Sequence, residues 1–424
     1  MKINSLELEN FGGIKHQILD LDGKTTVFFG INGAGKSTIL RAINILFARI
    51  IQKIVQGRYK QTINIENEDI RFGKAKTNIQ FKICFDKDGE NQDFVYSRSM
   101  ERKTKHRDHS QPAFEDITNV FDQRFIKDVK ANMPIFVNYG VHRVVLDIPL
   151  RIKKGHSFDK ISAFEKAIEN KIDFRTFFEW FRNQEDFENE IKGNENIDYV
   201  DIPLESVRKA IYVMIDGFSE LRVKRSPLLR MTISKGNTTL EMKQLSDGEK
   251  CTMALIGDLA RRLALANPTL TDPCHGKGIV LIDEIELHMH PTWQRRIIST
   301  LRYLFPNIQF IITTHSPQVL GEIDDTVNIF GIRQENNILV ADRIKSLIAW
   351  DSNLILEELM GTSSLNTVIT GKITRMFELI QDRNYEEANR FADEIDNLSH
   401  GNNPDVIKAR ILIARGVVHY DKNK

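Results

Sequence analysis

The chain has 424 residues, of which 41% are hydrophobic and 28% charged, with a formal net charge of +1. This is ordinary globular composition, long enough for two or three domains at about 150 residues each, and too nearly neutral for nucleic-acid binding by bulk charge alone. The three cysteines, Cys84, Cys251 and Cys274, lie far apart with no CxxC pair, which argues against a disulfide framework or zinc ribbon and for a reducing, cytoplasmic setting.

The opening alternates Ile3, Leu6 and Leu8 with polar residues, a strand pattern, and Phe11-Gly12-Gly13 marks a turn. A short strand is predicted over Thr25–Phe29, then a glycine-rich loop, then a helix over Ser37–Ile54 with Ile39, Leu40, Ile43, Leu46 and Ile50 near helical spacing. Further strands are predicted over Ile79–Phe85, Phe94–Ser97 and Pro134–Tyr139. Ile161–Phe218 reads as helical, and its aromatics Phe174, Phe177, Phe178, Trp180 and Phe181 read as core. A hairpin (Leu229–Ile233, Thr239–Met242) precedes a helix (Lys250–Ala266), a buried strand (Ile279–Ile282), a helix (Thr292–Leu304) and a buried strand (Ile308–Thr313). Fully apolar strands alternating with helices predict a parallel α/β sheet. The tail after Ile348 reads as three or four helices. No apolar run approaches the 18 or so residues of a membrane span, and Met1–Asp20 has no apolar leader core.

Four motifs carry chemistry. Gly30-Ile31-Asn32-Gly33-Ala34-Gly35-Lys36-Ser37 fits the phosphate-binding pattern G-x-x-x-x-G-K-[ST], with a strand before it and a helix after it. Its glycines let backbone N–H groups, from Asn32 through Gly33, Ala34 and Gly35 to Thr38, curl round phosphate oxygens at a helix start. Lys36 would reach the outer phosphates of ATP, and the Ser37 hydroxyl would ligate Mg²⁺. The apolar strand Ile279–Ile282 delivers Asp283 and Glu284 at its carboxyl end, Asp283 to hold Mg²⁺ and Glu284 to polarise the attacking water. Leu245-Ser246-Asp247-Gly248-Glu249 begins a helix, either a plain cap or a second anion site built on Ser246 and the N–H groups after it. Thr314-His315-Ser316 follows the next apolar strand, with His315 where it would touch the γ-phosphate.

These motifs in this order, with the opening INSLELENFGGIK, resemble the ABC-type ATPase heads of the SMC, Rad50 and RecF group. The resemblance implies an α/β, ABC/SMC-like P-loop ATPase head with a β-rich lobe and a helical insertion, ending in a C-terminal helical region. The expected division is residues 1–345 for the head, the insertion at about 155–220, and 346–424 for a helical docking region. It also implies slow, Mg²⁺-dependent ATP hydrolysis and at least a dimer, with Ser246 and Gly248 of one head completing the nucleotide site of another. There are no long heptad arms, and neither Asp324-Asp325 nor Asp393–Asp396 has the layout of a TOPRIM nuclease. The segments Pro134–Arg143, Phe177–Glu190 and Ile282–Gln294 resemble PtuA-type ATPases of Septu anti-phage systems, relatives of which accompany some retrons. That likeness implies a sensor and scaffold for a separate HNH nuclease of the PtuB kind, with a retron reverse transcriptase and its DNA as further partners.

Other readings stay open at this level. Glu286, His288 and His290 alternate like metal ligands but stand where a D-loop would cross the dimer interface. Arg98, Arg102, Lys103, Lys105, His106 and Arg107 form a basic cluster, either a solvated hairpin tip or a phosphate-backbone contact. The second reading would suit a RecF-like repair ATPase that binds DNA directly. No ordinary Q-loop glutamine is visible, and Asn138–Arg143 is the only candidate segment for that coupling role.

Overall fold

In a computed structural model, the described strands assemble into three sheets. The structure describes all residues except 32, 60–62, 88–89, 103–111, 129, 144–157, 337, 346, 348–349, 362–366, 400–402 and 422–424. The chain divides into two units, Met1–Trp350 and Asp351–Lys424.

In the first unit, β1 (Lys2–Phe11) pairs antiparallel with both β2 (Ile14–Asp20) and β4 (Lys76–Lys87). With β5 (Glu90–Glu101) they form a four-stranded sheet in the order β2-β1-β4-β5. Leu6 and Leu8 face Phe81 and Ile79 across the pairing, so the alternation read in β1 marks a buried face.

The second sheet is the parallel one. Its order is β13 (Ile338–Ile344), β12 (Asn328–Glu335), β3 (Thr26–Phe29), β11 (Ile308–Thr314), β10 (Gly278–Ile282) and β6 (Ile135–Tyr139), all parallel except the edge strand β13. Every residue of β3, β6, β10 and β11 is buried, which is why these strands read as unbroken apolar runs. Helix α1 (Lys36–Ile54) packs along it, Phe47 stacking on Phe136 with ring centroids 4.0 Å apart. The short helix α2 is Pro112–Val120.

The stretch expected to be helical between Ile161 and Phe218 breaks into a 3₁₀ turn (Lys160–Phe164), α3 (Phe174–Asn194) and α4 (Ile202–Met214). Each long helix starts on its own aspartate cap, Asp173 and Asp201, and Pro203 stands at the start of α4, where a missing N–H costs nothing. The aromatic stripe of α3 is buried. The predicted hairpin is β8 (Arg230–Lys235) with β9 (Thr238–Glu241), joined by β7 (Phe218–Lys224) in a small antiparallel sheet. Then come α5 (Asp247–Ala266), α6 (Pro291–Leu304) and the single turn α7 (Pro317–Leu320).

Among the described residues the second unit holds the turn α8 (Ser352–Leu354), a π-helical turn (Ile355–Leu359) and the helices α9 (Thr367–Gln381), α10 (Tyr385–Ser399) and α11 (Pro404–Asp421). Its core is Ile373, Met376 and Leu379 against Ala388, Ala392, Ile395, Val406, Ala409 and Ile413. No described helix is long and apolar enough to cross a membrane.

One buried network fixes α5 to the parallel sheet. Asp258 is 0% exposed and accepts from Arg261 and Arg262 at 2.7 Å each, and from the Tyr139 hydroxyl at 2.8 Å. Arg262 also donates to the carbonyls of Ala163 and Glu165. Burial would raise the Asp258 pKa, but the two guanidinium groups outweigh it and hold it at about 2. Removing this carboxylate strands two buried cations, so Asp258→Asn should cost about 3–5 kcal/mol at neutral pH by urea denaturation. The folded pKa lies below the usual 3.8, so this stabilisation is full above about pH 4 and the gap between the two chains should close as pH falls towards about 2.

Candidate nucleotide site

The glycine-rich loop leaves β3 and runs into α1 through backbone that only glycine adopts easily. Gly30 has φ +152° and Gly35 φ +92°, and a Cβ there would lie 2.3 Å from the Ile332 carbonyl oxygen and from Leu339 Cδ1 respectively. Helices α3, α4, α5 and α6 each begin on a side-chain cap, whereas α1 begins on Gly35 with none. The start of α1, with no side-chain cap and the positive end of the helix dipole, is suited to an anion. Asn32, the remaining loop position assigned to nucleotide binding, lies outside the described residues. Gly33 and Ser37 are exposed, Ala34 is buried, and Gly35 and Thr38 are half-buried.

Lys36 is only 5% exposed. Its ammonium donates to the Gly30 carbonyl at 2.7 Å, the Ile31 carbonyl at 3.0 Å and His315 Nδ1 at 3.0 Å. Burial lowers its pKa, while Glu284, Glu286 and Asp283 pull the other way. His315 Nδ1 also lies 3.2 Å from the Gly30 carbonyl oxygen, and its Nε2 lies 3.0 Å from Glu284 Oε1. Lys36, His315 and Glu284 thus form one hydrogen-bonded chain.

The acidic pair follows β10 directly. The Ser37 hydroxyl donates to Asp283 Oδ2 at 2.9 Å, and the Thr313 hydroxyl donates to Asp283 Oδ1. An alcohol beside a carboxylate is the hard-oxygen donor set that Mg²⁺ takes, so these residues fit that ion. Glu284 has φ +48°, its N–H donating to the Thr313 hydroxyl at 2.8 Å. Glu286 accepts from the Thr314 hydroxyl at 2.8 Å and from the His315 N–H, which fixes the histidine's backbone. Thr313 and Glu286 were not singled out for these roles from sequence. Their only signal was position, at the end of one apolar strand and just beyond the other.

The segment that stands for a Q-loop divides in two. Asn138 is buried, and its side chain is bound to Asn170. Arg143 reaches the site, donating to the backbone carbonyls of Asp283 and Glu284. Among the described residues no hydrogen bond joins Ser246 to the P-loop cluster. Ser246 caps α5 in a reciprocal box with Glu249, accepting its N–H at 3.3 Å while Glu249 Oε2 takes the Ser246 N–H at 2.8 Å. Within one chain the plain cap therefore accounts for Ser246. Gly248 packs so closely on the loop after Glu284 that a Cβ would lie 2.2 Å from the His288 carbonyl oxygen.

The alternative sites fare less well. Among the described residues no group of three or more histidine, cysteine or acidic side chains could hold a metal, and His290 Nδ1 caps α6 by accepting the Thr292 N–H at 3.3 Å. In the basic cluster, Lys103, Lys105, His106 and Arg107 lie outside the described residues. Arg98 is buried, donating to the carbonyls of Ile45 and Ile63 and to Asn64, and Arg102 donates to the carbonyls of Lys74 and Ile70. Arg98 is thus turned inward, and Arg102, half-buried, is held by backbone carbonyls of the lobe.

Residues 25–321 match the family described as "AAA domain, putative AbiEii toxin, Type IV TA system". The Retron Ec83 probable ATPase of Escherichia coli is 30% identical over 420 residues, covering 85% of this chain and 76% of that protein. The chain belongs to this ATPase family. The Retron Vc95 probable ATPase of Vibrio cholerae is also 30% identical, covering 70% of this chain and 67% of that protein. The Septu protein PtuA of Bacillus thuringiensis is 21% identical, covering 95% of each chain. The structure "SmcHead bound to the C-winged helix domain of ScpA" superposes with a TM-score of 0.50 at 16% identity, covering 81% of this chain and 98% of that one. It shows the SMC-head fold. The chain is thus an ATPase of this family with an SMC-head fold, related to ATPases of defence-associated systems, and the RecF-like alternative is not favoured. Lys36 supplies the only side-chain cation seen within the P-loop. Lys36→Ala should therefore weaken ATP binding by about 10–100-fold in a titration with a fluorescent ATP analogue, the cost of one or more charge-assisted bonds.

Proposed function

We propose that ATP, with Mg²⁺ held by Ser37 and Asp283, joins two or more of these heads, and that the nucleotide state licenses or restrains a partner HNH nuclease in anti-phage defence. The observation that carries this reading is the hydrogen-bonded chain Lys36–His315–Glu284 beside the Ser37–Asp283 pair, all at one edge of the parallel sheet. Lys36 would turn its donors from loop carbonyls to the outer phosphates. Glu284 would take the proton of the attacking water, and His315, between them, would sense the γ-phosphate. The metal would supply charge neutralisation on the phosphate oxygens.

Ser246 and Gly248 would act in trans, where the start of α5 meets the phosphate of a partner head. The second unit, with its own core and none of the nucleotide-site residues, would be the docking platform for the nuclease. A retron reverse transcriptase with its DNA is a further partner of the same class. The setting would be cytoplasmic.

Glu284→Gln should bind ATP but turn it over about 10²-fold or more slowly, and ATP should hold it in assemblies visible by size-exclusion chromatography with light scattering. Hydrolysis at the wild-type rate would remove Glu284 as the base. A chain ending at Trp350 should bind ATP with unchanged affinity but lose the nuclease in a pull-down. Retention of a stable complex would remove the docking role of the second unit.

A further inference from the structure

We infer that Arg143 is a positioning residue for Glu284, holding the backbone of the acidic loop in the one conformation that aims the Glu284 carboxylate at His315, and tying that loop to the helix that begins at Ser246. This deepens the reading of Glu284 as the base and rests on it.

Arg143 lies four residues beyond β6 and is 3% exposed. Its Nε donates to the Gly140 carbonyl at 3.0 Å, and its Nη2 donates to the carbonyls of both Asp283 and Glu284. Two successive carbonyls reach one nitrogen because the chain reverses at Glu284, whose φ of +48° lies in the left-handed region. A non-glycine residue keeps that conformation only when its surroundings impose it. Here Thr313 holds the amide side, through its hydroxyl to the Glu284 N–H and its carbonyl to the Ile285 N–H at 3.1 Å. Arg143 holds the carbonyl side. The strain is thus clamped between two strands' ends, one residue from Asp283 and at Glu284 itself.

The choice of a guanidinium is informative. Arg143 forms no ion pair among the described residues. Burial lowers its pKa, opposed by the through-space pull of Cys251, Glu286, Asp283 and Glu284. A buried cation whose described hydrogen bonds all go to carbonyls is a costly device for structure alone, since an apolar side chain would fill the space more cheaply. A planar fork, however, can hold three carbonyls in fixed relative positions, which a lysine point charge cannot. Meanwhile the Arg143 carbonyl accepts from the Cys251 thiol of α5 at 3.3 Å, within two turns of Ser246. A shift of α5 on engaging a partner's nucleotide would therefore be felt at Glu284 through one residue.

The test uses the full chain with Arg143→Lys and Arg143→Gln. Both should lower kcat by about 10–100-fold, the cost of a misplaced catalytic group, while ATP affinity and the unfolding midpoint stay close to wild type. Placed in the Glu284→Gln background, Arg143→Lys should add no further loss, because it acts through Glu284. Unchanged kcat in Arg143→Lys, an additive loss in the double variant, or loss of ATP binding or of folding would each overturn the inference, the last by making Arg143 merely structural. Absence of turnover in the wild-type chain would instead defeat the ATPase reading beneath it.

Discussion

Because β3, β11, β10 and β6 run parallel and side by side, the residues that follow each strand emerge at one edge of the sheet, each within a side chain's reach of the next. Lys36 follows β3, His315 follows β11, Asp283 and Glu284 follow β10, and Arg143 follows β6. An antiparallel neighbour at any of these places would send its terminal residues to the opposite edge. The order in turn depends on complete burial of the four strands on both faces, which sets their apolar sequences.

Burial also governs the polar groups at that edge. Lys36, Arg143, Thr313 and Thr314 are all buried, so each must find a protein partner, and each does so on a residue of the site. The consequence is a cluster whose polar groups are tied to one another. Asp283 is held by two hydroxyls and Glu284 by an imidazole, and the acidic loop's backbone by Thr313 on one side and Arg143 on the other. Beneath it, the Asp258 network locks α5 to β6, so the start of α5 and the acidic loop share one support. Gly248 adds direct contact between the two.

The legible part of this site was the part encoded contiguously. The P-loop, the strand ending in Asp283-Glu284 and the Thr-His after the next strand each carry their meaning within ten residues. Thr313, Glu286 and Arg143 were not legible in these roles because each acts by touching a residue far along the chain, Arg143 across 140 residues to Asp283, and that pairing depends on strand order rather than local pattern. Arg98 misled for the opposite reason. It sits among basic neighbours in sequence, but the period-2 geometry of β5 turns its side chain inward to backbone carbonyls. The break between α3 and α4 was written in the Asp201-Ile202-Pro203 cap and start signal, overshadowed by the continuous apolar spacing on either side.

Completion of each nucleotide site by the signature segment of another copy is what links ATP to assembly. It can be tested by mixing two inactive chains, one carrying Ser246→Arg and the other carrying Lys36→Ala with Glu284→Gln, and measuring phosphate release. The first chain keeps an intact P-loop and base, and the second keeps an intact signature. Completion in trans predicts that the mixture recovers turnover that neither chain shows alone, whereas a mixture as inert as its components would contradict it.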